Sequence, residues 1–433
     1  MKKSLFAVAA ATAFTGAAQA QSSVTVYGIL DMAAVGYNTR SAAGTSAPVA
    51  NTTGMTFTQN ALSTSRLGFR GTEDLGGGTR AFFTIELGVT PMGQQAINSG
   101  ASQNRQTFLG LAQKGLGEAR IGTQYTVIHD AAAATDPGQL NNMMGNMIYS
   151  MGTAGGLPTG EAAGLSYTIR SNNTLMLMSE NMSGFRGRAM AIINNANSNQ
   201  TTATTATQAG GVNNQNGWGL GLDFSGVKNL YVTANYLSLN AKNPYATPTG
   251  AYTTGSSCTS GSAVGQGCLA TNSNGTPLMF GAGQGSALGT NVKDTQQYYA
   301  ITYDFGVLKA FAQYVNRKVE NQLSSTDYIQ RSAQQIGVRG NLTKTIEAWA
   351  SGGMGKYNAY GSGASSNNIG GFQVGSLYWL SKRTNLYAIY GQYYTSNQST
   401  GTGGYQTTAA VTQTGNAQSG NANNYAIGVR HTF

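Results

Sequence analysis

The chain has 433 residues, of which only 9% are charged, with 60 glycines, 23 tyrosines, 2 cysteines, 2 histidines and a formal net charge of +10. Soluble domains carry about 25% charged residues, so the composition is unusual and argues against a charge-rich disordered chain. Two cysteines exclude a disulfide scaffold or a multi-cysteine zinc module, and His129 and His431 alone are too few for histidine-based metal or triad chemistry.

The first twenty residues read as an export signal. Lys2 and Lys3 form the basic start, Leu5 to Phe14 a short apolar stretch, and Ala18-Gln19-Ala20 a small-x-small cleavage site. Cleavage is predicted after Ala20, leaving a basic chain of net charge +8. Export leads to an oxidising compartment, where Cys258 and Cys268 can pair. Such a bridge closes a small local loop and stabilises it by about 2–3 kcal/mol.

No later segment reaches the roughly 18–20 continuous apolar residues of a membrane helix. An exported soluble protein, a surface fibre and an outer-membrane barrel remain. Period-2 alternation favours the barrel. In chain order, strands are predicted near 24–37, 62–71, 79–89, 105–113, 118–125, 164–180, 184–194 and 216–224, then 229–240, 294–304, 307–318, 330–340, 344–354, 371–380, 385–395 and 424–433. The last is the clearest. Tyr425, Ile427, Val429, His431 and Phe433 share one face; Ala426, Gly428, Arg430 and Thr432 share the other.

The connections alternate in length. Short ones fall at 72–78, 114–117, 181–183, 225–228, 305–306, 341–343 and 381–384. Long ones fall at 38–61, 90–104, 126–163, 195–215, 241–293, 319–329, 355–370 and 396–423. Seven turns and eight loops are what sixteen up-and-down strands require when both ends lie on the turn side, and outer-membrane barrels pair short periplasmic turns with long outer loops. The predicted fold is an all-β, sixteen-stranded antiparallel transmembrane β-barrel. A barrel has no sheet edge to leave unpaired in lipid, and sixteen strands enclose an aqueous channel. The domains are a signal peptide at 1–20 and a barrel at 21–433, with a long external loop at 241–293.

Several segments then point to one family. Ser23-Val24-Thr25-Val26-Tyr27-Gly28, the stretch from Ser65 to Gly78 (SRLGFRGTEDLGGG), Asn104-Arg105-Gln106-Thr107-Phe108-Leu109-Gly110-Leu111, Ile121-Gly122-Thr123-Gln124-Tyr125, Leu380 to Tyr387 and the end Tyr-x-Ile-Gly-Val-Arg-His-Thr-Phe together resemble the general porins of Gram-negative bacteria, specifically the trimeric porins of β-proteobacteria. The resemblance implies a homotrimer. It also implies a third loop, about 126–163, folded into the barrel to constrict it, and a C-terminal strand ending in Phe433 that the barrel-assembly machinery reads.

Within that loop Asp136 falls where the family carries a constriction carboxylate, with Asp130 nearby. The second carboxylate expected from enterobacterial relatives is replaced by Gln139, Asn141, Asn142, Met143 and Met144. Facing the loop, Arg66 and Arg70 share one face of a strand while Leu67 and Phe69 take the other. Arg105 and Arg170 carry over by motif, and Thr123 stands where an arginine is usual. Channel selectivity comes from pore width and charged rings at the narrowest point. Four arginines against one or two aspartates imply passive diffusion of small hydrophilic solutes and inorganic ions with a mild preference for anions. Glu86 shares the water-facing phase of its strand with Phe82 and Thr84.

Enzymatic chemistry is not expected, because His129 is the one histidine placed near a candidate site. No metal, cofactor or nucleic-acid partner is expected; the glycine-rich run 281–289 lacks the lysine and helix of a phosphate cradle. Outer-membrane lipid and lipopolysaccharide are the expected surroundings, the latter through the basic charge. The alternatives are a substrate-selective outer-membrane channel and a non-conducting surface adhesin.

Overall fold

The computed structural model describes residues 23–43, 50–93, 96–97, 104–149, 166–198, 211–243, 290–321, 328–359, 367–398 and 418–433. Ala20, Cys258 and Cys268 lie outside them.

Seventeen strand segments form one antiparallel sheet. They are β1 (Ser23–Ala43), β2 (Ala50–Gln59), β3 (Arg66–Gly76), β4 (Thr79–Gly88), β5 (Asn104–Gln113), β6 (Gly117–Tyr125), β7 (Arg170–Ser179), β8 (Phe185–Ser198) and β9 (Gly211–Phe224), followed by β10 (Leu230–Asn243), β11 (Thr290–Asp304), β12 (Lys309–Asn321), β13 (Tyr328–Asn341), β14 (Ile346–Ala359), β15 (Asn367–Trp379), β16 (Thr384–Gln398) and β17 (Gln418–Thr432). Among the described residues a helix, α1 (Val127–Thr135), follows β6.

The sheet closes because β1 pairs with β17 on one side and with β2 and β3 on the other. Its outer half, Met32 to Ser41, pairs with β2, and its inner half, Ser23 to Ile29, pairs with β3. The two segments therefore share one wall position, and the barrel has sixteen. At the closure Gly28 and Phe433 exchange both backbone hydrogen bonds, each 3.1 Å.

This corrects two of the sequence boundaries. Residues 38–61 are mostly hairpin rather than loop, and the expected strand 62–71 is a non-strand stretch, 60–65, followed by β3. The cause is Asp31, which is fully buried. One of its carboxylate oxygens accepts from the backbone N–H of Leu62 at 3.0 Å and of Ser63 at 2.5 Å. Those amides are lost to the β-ladder, so the strand breaks there. A third correction concerns 164–180: β7 begins only at Arg170, because Tyr167 turns into the buried cluster and the backbone of Thr168 bonds to Gln296 and Thr126. β10 and β11 also run further than expected, leaving 244–289 between them outside the described residues.

Alternation places large apolar side chains outward, with Leu109 59%, Ile336 70% and Ile427 68% exposed. A soluble protein does not present a continuous apolar belt of this kind. Several outward or wall aromatics lie across a glycine of the next strand. A methyl group at Gly68, Gly110 or Gly428 would meet the ring of Tyr27, Phe82 or Tyr387 at 2.3, 2.4 and 2.4 Å. The first turn, after β3, runs through Gly76, Gly77 and Gly78, all at positive φ (+81°, +61° and +81°), a region that side chains disfavour.

Candidate functional site

The segment that follows β6 packs against the sheet on the face opposite the exposed apolar belt. Thr126 caps α1, its side chain accepting from the His129 N–H at 3.3 Å. The run Ala131 to Ala134 favours helix. α1 buries Val127, Ile128, Ala131 and Ala132 against the wall strands β8 to β11, in one apolar cluster with Met176, Met190, Ile192 and Leu237. Here both faces of the wall are apolar: Leu175 and Leu177 point out while Met176 and Met178 point in. The strict apolar–polar alternation fails at these strands because the inner face packs against a helix instead of water.

Residues 136–149 continue along the wall, held by side chains of several strands. Asn141 and Gln373 bond twice, at 2.5 and 2.9 Å. Gln335 accepts from the Met147 N–H at 2.8 Å, Arg331 donates to the Met147 carbonyl at 2.7 Å, and Arg339 donates to the Pro137 carbonyl at 2.8 Å. Asn424 accepts from the Met144 N–H at 3.1 Å, and the Asn142 side chain donates to the Asn60 carbonyl at 2.7 Å.

Asp136 belongs to this anchorage. It is 3% exposed and accepts from the Leu140 N–H at 2.8 Å, from Asn146 at 2.8 Å and from Gln335 at 3.2 Å. Burial raises its pKa from the usual carboxylate value, against the pull of those three donors. The sequence expectation placed this carboxylate at the lumen surface; the structure spends it on fastening the segment to β13. Asp130, half-buried in the first turn of α1, is also raised by burial, and is held back by the charges of Arg188, Arg120 and Arg186.

The arginines lie elsewhere. Arg66, Arg105 and Arg170 converge on two residues, Glu86 and Tyr125. Arg105 donates from Nε to Glu86 at 2.8 Å and from Nη2 to the Tyr125 hydroxyl at 2.6 Å. Arg66 stands 3.7 Å from Glu86, and the Tyr27 hydroxyl donates to its second oxygen at 3.0 Å. Arg170 lies over the Tyr125 ring at 5.8 Å. Arg70 stands apart and exposed, over the Tyr27 ring at 5.4 Å. On β5, Thr107, Leu109 and Leu111 point outward, and strict alternation would send Arg105 with them. The register slips between Glu86 and Leu87, with Gln106 opposite Glu86 and Asn104 opposite Leu87. This bulge turns Arg105 into the lumen, a use bulges commonly serve.

His129 sits between the two groups. Its ring lies 4.3 Å from that of Tyr125, 6.0 Å from Tyr149 and 5.9 Å from Tyr167. Burial pushes it down to about 3, and the cations Arg105 and Arg66 add to the effect. It is neutral at physiological pH. Among the described residues no group of three or more His, Cys, Asp or Glu side chains is placed to hold a metal ion.

Sequence reasoning missed several wall arginines. Arg188 bonds Asp223 at 2.6 Å and Arg317 bonds Asp294 at 2.7 Å, both pairs buried. Arg331 and Arg339 hold the 136–149 segment. Their positions on the water-facing phase of their strands were readable, but their partners lie on other strands or in the segment itself.

Closed topology, outward apolar belt and inward charges coincide with a family match over residues 7–398 to the Gram-negative porins. The chain belongs to the Gram-negative porin family. It is thus a multi-pass β-barrel of the outer membrane. It is 32% identical over 200 residues to an outer membrane porin protein of Bordetella pertussis, covering 43% of this chain and 46% of that one. It is 38% identical over 191 residues to outer membrane porin protein 32 of Delftia acidovorans, covering 43% and 48%. The alignments thus span about half the length of these curated relatives. These porins are channel proteins rather than enzymes. Among solved structures, the fold is similar to an anion-selective porin from Comamonas acidovorans, with TM-score 0.60, 19% identity and coverage of 95% of this chain and 100% of that one. It is also similar to the trimer form of OmpT of Vibrio cholerae, with TM-score 0.55, 14% identity and coverage of 95% and 99%.

Proposed function

We propose that this porin is a water-filled channel for passive diffusion of small hydrophilic solutes and ions, with a preference for anions, and that it works as a homotrimer. The observation that carries the preference is the pairing of charges. Arg66 and Arg105 share one carboxylate, Glu86, and Arg170 adds a further cation beside Tyr125. On the other side, Asp136 is buried among hydrogen-bond donors. The segment 126–149 narrows the lumen from the wall of β8 to β17, leaving the partly exposed Arg66 and Arg170 beside the passing solute, while Arg105, only 3% exposed, acts on it at longer range. A charge 4 Å from an ion interacts by roughly 4 kcal/mol at an effective dielectric near 20, and screening reaches only about 8 Å at physiological salt. Charges at the narrow point therefore outweigh those on the rims. The name of the Comamonas neighbour and the trimeric form of the Vibrio neighbour agree with this reading. Phe433, at the closure of the barrel, serves as the end of the strand read by the assembly machinery, and lipopolysaccharide meets the basic outer surface.

The test is the zero-current potential of the purified protein in a planar bilayer under a tenfold KCl gradient. Stepwise conductance with a chloride-directed potential is expected. A cation-directed potential would overturn the preference, and the absence of steps from a folded barrel would overturn the channel.

A further inference from the structure

On the turn side of Arg66 and Arg105, the same wall carries a second group of charges built on aromatic rings. Phe82 and Phe108 face the lumen on β4 and β5, where Phe83, Ile85 and Leu109 face lipid. Their rings meet edge to face at 6.3 Å and 81°. The guanidinium of Arg120 lies 5.1 Å from the Phe108 ring and 5.9 Å from the Phe82 ring, and that of Arg80 lies 5.2 Å from the Phe82 ring. One carboxylate serves both: Glu118 bonds Arg120 directly and stands 3.6 Å from Arg80. The pair keeps one net positive charge. The side chains of Arg80 and Arg120 are 52% and 22% exposed. A cavity of about 930 Å³ opens beside Arg80 and Glu118, lined also by Lys114, Arg186, Asp223 and Tyr231.

Phenylalanine gains nothing by facing a water-filled lumen, and a guanidinium needs no ring to attract a small inorganic anion. The rings do something else: they hold both guanidinium groups within cation–π distance, Arg120 partly buried and Arg80 open to solvent. A flat, weakly hydrated guanidinium offers one face to a π system and its edge to a carboxylate. We propose that Arg80 and Arg120, laid on Phe82 and Phe108, form a second binding step in the channel, selective for planar aromatic carboxylates. The inference rests on the channel reading above and adds a substrate class to it.

The test compares sodium benzoate with sodium cyclohexanecarboxylate, two anions of like charge and size that differ in the π face. Each is titrated on the short-turn side of a planar bilayer holding the wild-type protein in KCl, and the reduction of chloride current is read. Benzoate should act at about fivefold lower concentration, the scale of one exposed cation–π contact. Arg120→Lys keeps the charge but loses the flat face, and Phe82→Leu removes the ring beneath; each should bring the two anions close to equal. Equal action on the wild type, with KCl steps present, overturns the aromatic site and leaves the channel standing. A benzoate preference that survives both substitutions also overturns it. Absence of KCl steps from the wild type instead overturns the channel reading itself.

Discussion

Tyr387 donates its hydroxyl to Asp31 Oδ1 at 2.5 Å, joining β16 to β1. The other oxygen of Asp31 takes the Leu62 and Ser63 amides, so one buried carboxylate ties β16 to β1 across the closing strand β17 and fixes the break in the second wall position. Removing one partner of a buried charged hydrogen bond costs about 1.5–3 kcal/mol. Tyr387→Phe should destabilise the detergent-extracted barrel by about that amount, and Asp31→Ala by more, because two amides then lose their acceptor. Urea unfolding followed by tryptophan fluorescence measures both; an unchanged midpoint for Asp31→Ala would show that the break holds itself.

The arginine wall makes a prediction with two signs. Arg66→Ala and Arg105→Ala should each shrink the chloride-directed potential, while Glu86→Gln should enlarge it, since Glu86 now neutralises part of both. One charge within a screening length of the permeating ion interacts by about 0.5–2 kcal/mol, a roughly two- to thirtyfold change in the anion-to-cation ratio. Reversal potentials of the three variants under a KCl gradient decide it. A Glu86→Gln channel less anion-preferring than wild type would contradict the pairing.

His129 makes acidification costly. It titrates near 3 in the folded chain, below its ordinary 6.5, first because it is buried and then because Arg105 and Arg66 are near. Protonation therefore favours the unfolded state. The stability His129 permits is intact above about pH 6.5 and is lost progressively as pH falls towards 3. Asp130 and Asp136 are shifted up, so their neutral forms are favoured in the fold and acid relieves them. His129→Gln isolates the histidine: between pH 7 and 4 it should lose less thermal stability than the wild type. Parallel melting curves would place the acid response elsewhere.

Closure depends on Gly28 having no side chain. A methyl there would lie 2.3 Å from Cζ of Phe433 and 2.7 Å from the Arg66 carbonyl. Gly28→Val should displace the Phe433 ring and slow barrel formation, whereas Phe433→Ala should weaken the seam without a clash. Heat-modifiable gel mobility during refolding reads the folded fraction; equal folding rates for Gly28→Val and wild type would show that the ring is dispensable to closure.

Much of this molecule is written locally. Period-2 alternation fixed most of the strands, their lipid face and the seven short turns, because each depends only on residues adjacent along one strand. Arg66 and Arg70 could be assigned to the lumen on phase alone. Tertiary structure decided what local pattern cannot carry. Arg105 enters the lumen only because the register against β4 slips by one residue. Asp136 is turned from a lumen charge into an anchor by Gln335, Asn146 and the Leu140 amide, and Gln335 lies 199 residues away in sequence. Asp31 breaks a strand through amides some thirty residues on. Met176 and Met178 defy alternation because they join the buried apolar cluster that α1 completes. The physical reason is common to all four. Alternation tells which face of a wall a side chain takes, but the energy of a charge or an apolar group on that face depends on what stands opposite. In a closed barrel, that is set by register and by a segment crossing from far along the chain.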